Sequence, residues 1–384
     1  RFDSKMLKIL ASLIVFVFLI PYTASLYNGL SRLFGMAFHL DYTVCIVVMA
    51  VLTGIYVIAG GYMATAINDF IQGCIMIIGI IAVIASVLKS NGGFMQAIDA
   101  LARVEDAQAT STPGAFASFF GPDPFGLLCV VILTSLGTWG LPQMVQKFYA
   151  IKDEKSIGKG TLISTIFAII VAGGCYFLGG FGRLYDIDIA AQGYDAIIPA
   201  MIEKLSPLLI AVVVILVLSA SMSTLSSLVL ASSSTLTLDM IRGTIVKEMT
   251  EKKQVFIMRI FIVVFIAISA VIAVVQYKSG VTFIAQLMGI SWGALAGAFL
   301  APFIYSLYWK GVTKAAVLVN FLFGSGIMVA NMLARASFPT VLQSPINCGA
   351  FAMLAGLIIV PVVSLITPKL SDEKKQAVFS CYEK

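Results

Sequence analysis

The sequence predicts an all-α bundle of membrane-spanning helices. Of its 384 residues, 60% are hydrophobic and only 11% are charged, and the mean hydropathy is +1.00. Apolar stretches of about 20 residues, each long enough to cross a bilayer as a helix, follow one another with short polar connections. Since no linker or low-complexity segment separates them, we predict one transmembrane domain over residues 1–370 and a short cytoplasmic tail over residues 371–384.

The charge distribution predicts how these spans are oriented. We predict ten spans, at about 7–30, 42–59, 64–88, 126–149, 158–181, 204–232, 255–276, 282–308, 313–333 and 347–367. If the N-terminal end is cytoplasmic, 18 of the 25 Lys and Arg residues fall in inside segments, as the positive-inside rule expects. Ten crossings return the C-terminus to the cytoplasm. The net charge of +6 then reflects topology, and no nucleic-acid partner is expected.

Cysteine and catalytic patterns exclude several classes of protein. The six cysteines are dispersed and form no CxxC pair, so neither a disulfide framework nor a zinc site is expected. The single histidine, His39, lies in a predicted loop, and no Ser-His-Asp set, phosphate loop or dinucleotide fingerprint is present. We expect no catalytic residue and no enzyme activity.

Asp69, in the segment AINDFIQG, is a candidate ion ligand. It lies about two turns into an apolar span, where an unpaired carboxylate costs several kcal/mol. Such residues usually face a polar cavity, a cation or a hydrogen-bond donor. The alternative is a residue near the cytoplasmic interface that reaches water and caps the helix.

The segment 219–237 is rich in hydroxyl groups, with eleven Ser or Thr among nineteen residues. Ala220, Ser223, Thr224 and Ser227 follow the i, i+3, i+4, i+7 spacing of one helix face. Hydroxyl and carbonyl oxygens are the ligands that small hard cations prefer, so this face predicts a sodium site in a transporter. Close helix packing with local hydroxyl-to-carbonyl bonds is the alternative explanation.

Two segments are candidates for binding a solute. The motif GTWGLPQ, residues 137–143, combines glycine and proline in one turn, and its Trp139 and Gln143 can stack on or hydrogen-bond to a solute. The second candidate segment is in the first predicted span, 7–30, where Tyr22 directly follows Pro21. An ordinary kink explains either segment equally well.

Taken in order, these features resemble the sodium:solute symporter family. The matching stretches are AINDFIQG, LSASMSTLSSLVLASSSTLTLDM, WGALAGAFLAPFIYSLYWKGVTKAAVL and GLPQMVQKFYAIKDEKS. The last of these looks closest to the proline and pantothenate branches. The similarity runs from Arg1 to about Leu370.

The resemblance implies a fold of two inverted five-helix repeats with flanking helices, the LeuT-like transporter fold. It also implies that about three N-terminal helices of the family are absent from this sequence. Removing three spans from a protein whose N-terminus is outside leaves a sequence that starts on the cytoplasmic side, which agrees with the orientation that the charges predict. We therefore expect an N-terminally truncated fragment that does not transport alone.

The resemblance also implies ligands for one or two sodium ions. The main site of the family would use the carbonyl of Ala220 and the hydroxyls of Ser223 and Thr224. A second site, which some members have, would use Asp69 with Ser223, Ser226 and Ser227.

On the solute side, Tyr22 matches a tyrosine of the proline carrier. The Trp and Tyr that line the solute site of that carrier on the next helix align with Thr134 and Thr138 in this sequence. Trp139 comes one residue later, which rotates it by about 100° on a helix. That departure disfavours proline itself as the solute.

The predicted function is sodium-coupled import of a small organic solute, such as an amino acid, pantothenate or another carboxylate, by alternating access. The partners expected are the solute, sodium and the lipid bilayer, with no obligate protein partner. The alternatives are a membrane sensor with a transporter-like input module, disfavoured by the short tail, and a proton-coupled carrier in which Asp69 titrates. Compact loops favour a bacterial inner membrane.

Overall fold

The computed structural model describes residues 1–2, 4–106, 109–185, 187–246, 248–280 and 284–382. All regular elements in these ranges are helices. The first eight are α1 (Lys5–Phe38), α2 (Tyr42–Ser90), α3 (Phe94–Ala102), α4 (Pro124–Ser135), α5 (Pro142–Val145), α6 (Glu154–Gly180), α7 (Ile189–Gln192) and α8 (Ile197–Glu203). The remaining seven are α9 (Pro207–Ser234), α10 (Glu251–Ser279), α11 (Ile284–Tyr308), α12 (Lys314–Leu333), α13 (Thr340–Gln343), α14 (Pro345–Ile366) and α15 (Asp372–Phe379).

The number of membrane spans agrees with the sequence prediction. Within the described ranges, nine helical segments are long and apolar enough to cross a membrane, and a tenth forms if the bent pair Pro124–Gly140 and Pro142–Tyr149 is one span. The span of α9 is longer than predicted, because the chain continues past Ser234 as a π-helix, Thr235–Ile245. The chain is a multi-pass membrane protein.

Helix α2 contains two spans, Tyr42–Gly60 and Ala66–Ser90. The Asn68 amide donates a hydrogen bond of 2.9 Å to the Tyr56 hydroxyl, although twelve residues separate them. In a straight helix their Cα atoms would lie about 18 Å apart, which is beyond the combined reach of the two side chains. The chain of α2 therefore bends sharply between Tyr56 and Asn68, as two separate predicted spans require.

Helix α11 lies at the centre of one half of the bundle, packed against α1, α12 and α14. Small residues bring its backbone close to its neighbours, and Gly297 touches Gly324 of α12. The buried Asn320 amide donates hydrogen bonds of 2.9 and 2.8 Å to the carbonyls of Gly297 and Ala298. Small residues and interhelical hydrogen bonds are what holds helices together in lipid, where the solvent is as apolar as the side chains.

An ion pair fastens the segment between α6 and α9 to the bundle. The Asp195 carboxylate accepts hydrogen bonds of 3.1 and 3.2 Å from the N–H of Ile284, the first residue of α11. It also lies 3.7 Å from the Arg32 guanidinium of α1, and the Asp195 side chain is only 8% exposed. The Arg32 guanidinium in turn lies over the Tyr277 ring. This contact ties a connecting segment to two spans.

Burial is costly for the charge on Asp195. Desolvation raises the pKa of Asp195 above its ordinary value, against the opposing effects of the Ile284 N–H and Arg32. The folded protein therefore binds a proton at Asp195 more tightly than the unfolded chain does. The contribution of protonated Asp195 to the free energy of unfolding is complete below about pH 4 and is lost as the pH rises through the raised pKa.

We therefore expect two Asp195 variants to behave in opposite ways. Asp195→Asn keeps an oxygen for the Ile284 N–H and removes the buried charge, so its melting temperature should equal or exceed that of the wild type, with a larger gain at pH 8 than at pH 5. Asp195→Ala leaves the Ile284 N–H without its acceptor and should cost about 1–3 kcal/mol. Equal losses in both variants at pH 8 would show that the ion pair outweighs desolvation.

Candidate functional site

The fourth predicted span is broken in the middle. It was expected as one stretch over 126–149, but it folds as α4, a 3-10 turn at Gly137–Gly140 and α5, with a bend of 53° across Leu141. Pro142 explains the break, because its ring has no N–H and clashes with the carbonyl four residues earlier. The bend turns Gln143 and the residues after it towards α2 and α9.

Gly140 lets the break pack closely on α11. A Cβ atom at this position would lie 2.9 Å from the backbone nitrogen of Leu300 and 3.0 Å from the Cα of Ala296. Backbone atoms do not move aside as a flexible side chain would. Glycine is therefore required by the close approach of the two helices.

Antiparallel packing of α2 on α9 brings Asp69 to the hydroxyl-rich helix. Gly79 of α2 faces Leu216 of α9. Ten residues back along α2 is Asp69, and seven to eleven residues forward along α9 is Ser223–Ser227. Both helices rise about 1.5 Å per residue, so these residues meet at one level, and the Ser223 side chain lies within hydrogen-bonding reach of the Asp69 carboxylate.

A cavity of about 210 Å³ opens beside Asp69. Residues of α2, of α9 and of the segment after the break line it: Ala66, Asp69, Gln143, Gln146, Lys147, Ser227 and Leu230. Carboxylate, amide and hydroxyl oxygens thus converge from three parts of the chain. Oxygen ligands of this kind suit a hard cation.

Several polar atoms at this cavity are buried without a partner. Within the described residues, Asp69 Oδ1 and the Gln143 atoms Oε1 and Nε2 have no hydrogen-bond partner. Gln143 is only 4% exposed. Buried polar atoms are nearly always paired in native proteins, so each unpaired one needs an explanation, such as strain or a bound water or ion. The Asp69 and Gln143 oxygens are therefore available to ligate a cation, whereas the Gln143 amide nitrogen is a donor.

The hydroxyls of α9 retain the capacity to bind a cation. Thr224 Oγ1 donates to the carbonyl of Ala220 at 3.0 Å, and Ser226 Oγ and Ser227 Oγ donate to the carbonyl of Ser223 at 3.0 and 3.2 Å. This is the local bonding that close packing predicts for such residues. A hydroxyl that donates its proton still has lone pairs to offer, so these bonds are compatible with an ion site.

The predicted ion ligands fall into two groups. Asp69 and Ser227 line the cavity, and the Ser223 side chain lies within hydrogen-bonding reach of Asp69. Ser226 is buried in the same turn of α9. Ala220 and Thr224 lie on the adjoining turn, half-buried, outside the cavity lining.

The predicted solute contacts do not share one cavity. Tyr22 packs edge-on against Trp292 of α11, with ring centroids 5.8 Å apart. Thr134 and Thr138 donate to carbonyls of their own segment, those of Val130 and Ser135, at 2.7 Å. Trp139 is 60% exposed and lines a larger cavity. Gln143 faces the smaller cavity beside Asp69.

The larger cavity has a volume of about 910 Å³. It lies among the first turns of α1, the residues around the break in the fourth span, the π-helix after α9, the second half of α11 and the start of α12. Lys5, Lys8 and Asp239 contribute charged groups, and Gln146 borders both cavities. The two spaces are therefore neighbours.

Sequence reasoning missed three residues of this region: Trp292, Gln146 and Lys147. Gln143, Gln146 and Lys147 follow an i, i+3, i+4 spacing that was readable in the sequence. What the sequence could not show is that the bend places this face against Asp69. Trp292 begins the motif WGALAGAFLAPFIYSLYWKGVTKAAVL, which shows no partner for it, and its contact with Tyr22 depends on the packing of α11 on α1.

The family model of the sodium:solute symporter family matches residues 1–324. The chain belongs to this family. Both the resemblance of the sequence motifs and the sodium coupling predicted from them are confirmed at the level of the family.

Curated relatives support this membership. The osmoregulated proline transporter OpuE of Bacillus subtilis is 27% identical over 96% of this chain and 72% of its own length. Sodium/proline symporter 2 of Staphylococcus saprophyticus is 29% identical over 84% of this chain and 62% of its own length. The sodium/proline symporter of Staphylococcus aureus is 28% identical over 98% and 71%. The chain thus spans between about three fifths and three quarters of the relatives it matches. These relatives are transporters.

The fold is also found in a solved structure. The substrate-bound, outward-open structure of a Na+-coupled sialic acid symporter, described as revealing a novel Na+-site, superposes with a TM-score of 0.69. It is 20% identical in sequence and covers 97% of this chain and 77% of that one. This similarity confirms the predicted transporter fold.

Proposed function

We propose that residues 1–370 form the transmembrane domain of a symporter that imports a small organic solute together with sodium. The cavity beside Asp69 is the sodium site in this proposal, because it presents buried carboxylate and amide atoms without partners, next to the Ser227 hydroxyl. One carboxylate balances one monovalent cation. Within the described residues, no group of three or more His, Cys, Asp or Glu side chains is placed to hold a metal ion.

The solute is proposed to be an amino acid or another carboxylate, pantothenate included. Support comes from relatives named for proline and from a fold neighbour named for sialic acid. Tyr22, Thr134, Thr138 and Trp139 remain the proposed solute contacts. Gln143 is better placed at the ion, since it faces the Asp69 cavity.

The mechanism is alternating access. Sodium binds between α2 and α9 and fixes the two helices relative to the broken span, and this favours binding of the solute. Rocking of the bundle then opens both sites inward. Each sodium ion that enters supplies about 2.3 kcal/mol per 100 mV of membrane potential, in addition to its concentration gradient. A second ion at Ala220, Ser223 and Thr224 would double this driving force.

The larger cavity is proposed as the cytoplasmic vestibule. It adjoins the basic N-terminal residues Arg1, Lys5 and Lys8, which the positive-inside rule places in the cytoplasm. The same rule places the C-terminal tail, residues 371–384, in the cytoplasm. The relatives are bacterial, and we place the protein in the bacterial cell membrane.

Sodium binding is testable by thermal stability. The purified protein should melt at a higher temperature in sodium than in equal potassium or choline, because a ligand at a hundred times its Kd stabilises the folded state by about 2.7 kcal/mol. Identical melting in the three salts would contradict the proposed site.

Ser223→Ala and Thr224→Ala test which hydroxyls bind sodium. Ser223 adjoins the Asp69 cavity, and Thr224 belongs to the second proposed ion site. Each loses one oxygen ligand, worth about 1 kcal/mol, so the sodium concentration for half-maximal stabilisation should rise roughly fivefold. Ser221→Ala is the control for Ser223→Ala, since Ser221 lies two residues from Ser223 and faces the other side of α9 from it. Unchanged sodium dependence in both Ser223→Ala and Thr224→Ala would remove these two residues from the site.

A further inference from the structure

Lys147 borders the cavity that holds Asp69, and it has no place in the proposed ion site. It lines the cavity with Gln143 and Gln146, and its charge acts on the Asp69 carboxylate. The residue is otherwise exposed. Its flexible four-carbon stem allows the ammonium to move between the cavity and the surroundings.

The position of Lys147 depends on the broken span. The bend of 53° at Leu141 directs Gln143, Gln146 and Lys147 towards Asp69 on one face. Gln146 borders the larger cavity as well. An ion that leaves Asp69 for the larger cavity therefore passes the segment that carries Lys147.

A sodium ion and a lysine ammonium carry the same charge and compete for the same carboxylate. The cavity, about 210 Å³, has one acid, and a second cation beside it would meet repulsion at close range. When sodium is absent, the half-buried Asp69 carboxylate has no bound ion, and the Lys147 ammonium is the positive charge that the cavity lining offers. Occupation by one cation should therefore weaken binding of the other by the same factor.

We propose that Lys147 is a tethered cation that replaces sodium beside Asp69 after the ion has left, and so promotes release of sodium towards the larger cavity. This proposal rests on the proposed sodium site. Lys147 is a positioning residue for the ion cycle, since it competes with the ion and does not ligate it.

The competing explanation is that Lys147 only anchors the bundle at the membrane surface by pairing with lipid phosphates. Lys152 provides a control for that explanation. It is exposed and five residues further along the same connection, and it does not line the cavity.

The test is a sodium titration of the melting temperature, with choline keeping the ionic strength constant, for the wild type, Lys147→Met, Lys147→Arg and Lys152→Met. If the proposal holds, Lys147→Met melts below the wild type without sodium, and the difference closes at saturating sodium. The sodium concentration for half-maximal stabilisation should fall three- to fivefold in Lys147→Met, the range expected for a partly exposed charge pair. Lys147→Arg and Lys152→Met should keep the wild-type value.

The Asp69→Asn background decides whether the effect acts through the carboxylate. Without the Asp69 charge, Lys147→Met should no longer change stability in sodium-free buffer. An unchanged half-maximal sodium concentration in Lys147→Met, or equal effects of Lys147→Met and Lys152→Met, would overturn the proposal and leave the sodium site intact. A wild type that melts identically in sodium and choline would overturn the sodium site, and this proposal with it.

Discussion

Asp69→Asn is expected to raise the sodium concentration for half-maximal transport at least tenfold. The substitution keeps the shape of the side chain and removes the one negative charge that lines the cavity. Interactions with a charged group contribute about 1.5–3 kcal/mol, and each 1.4 kcal/mol is a factor of about ten in affinity. Solute uptake into proteoliposomes that contain the full-length protein, at varied sodium concentrations, measures the change.

Asp99→Asn is the matched control for this variant. Asp99 is exposed on α3 and is not among the residues that line the Asp69 cavity, so its loss should leave the sodium dependence unchanged. An unchanged sodium dependence in Asp69→Asn would exclude Asp69 as a ligand.

The same two variants separate sodium coupling from proton coupling. If Asp69 carries a proton in place of sodium, the wild type will transport in response to a pH gradient without sodium, and Asp69→Asn will lose that response while sodium has no effect on either protein. Sodium-dependent uptake that persists at a fixed pH in the wild type, and is weakened in Asp69→Asn, supports the ion site.

Gly324→Ala should have the largest effect on stability. Its Cβ atom would lie 2.3 Å from the carbonyl carbon of Gly297 and 2.5 Å from the backbone nitrogen of Ala298. Because both contacts are with backbone, α11 and α12 would have to separate, and overpacking of this kind costs about 1–3 kcal/mol. The separation would also strain the two hydrogen bonds of Asn320 to α11.

Gly326→Ala isolates the packing effect. Gly326 lies on the same helix, two residues further on, and a Cβ atom there meets nothing within 4 Å. Since alanine favours helix more than glycine does, by up to about 1 kcal/mol, this variant should melt at the wild-type temperature or slightly above it. Melting temperatures in detergent compare the two, and a Gly324→Ala protein as stable as Gly326→Ala would show that the contact between α11 and α12 adjusts without cost.

Sequence patterns predicted most of the fold because the bilayer imposes strong local rules. A span needs about 20 apolar residues and must satisfy its own backbone hydrogen bonds as a helix. Both requirements can be read from consecutive residues, and the predicted stretch 282–308 corresponds closely to α11, Ile284–Tyr308. The stretch 126–149 passed the same test of composition yet is bent at Leu141. The Gly and Pro residues at the break were visible, but the direction of the bend depends on packing against α11.

The candidate ion site was predictable in part. Asp69 is an acid in an apolar span, and Ser223 and Ser227 share one face of α9, so each could be identified from its own segment. The sequence predicts Gln143 as a solute contact, and the structure places it in the lining of the Asp69 cavity. No local pattern shows which of two cavities a side chain faces.

The sequence by itself determined the class of this protein, the number of its spans and the helix faces that carry polar groups. These properties arise from hydrophobicity and from the 3.6-residue period, which act between neighbours in the chain. Only the tertiary structure decided that Asp69 meets Ser223 and Ser227, that Lys147 borders the same cavity and that Gly324 touches Gly297. Those contacts join residues up to about 160 positions apart, and they depend on how whole helices pack, which no local pattern encodes.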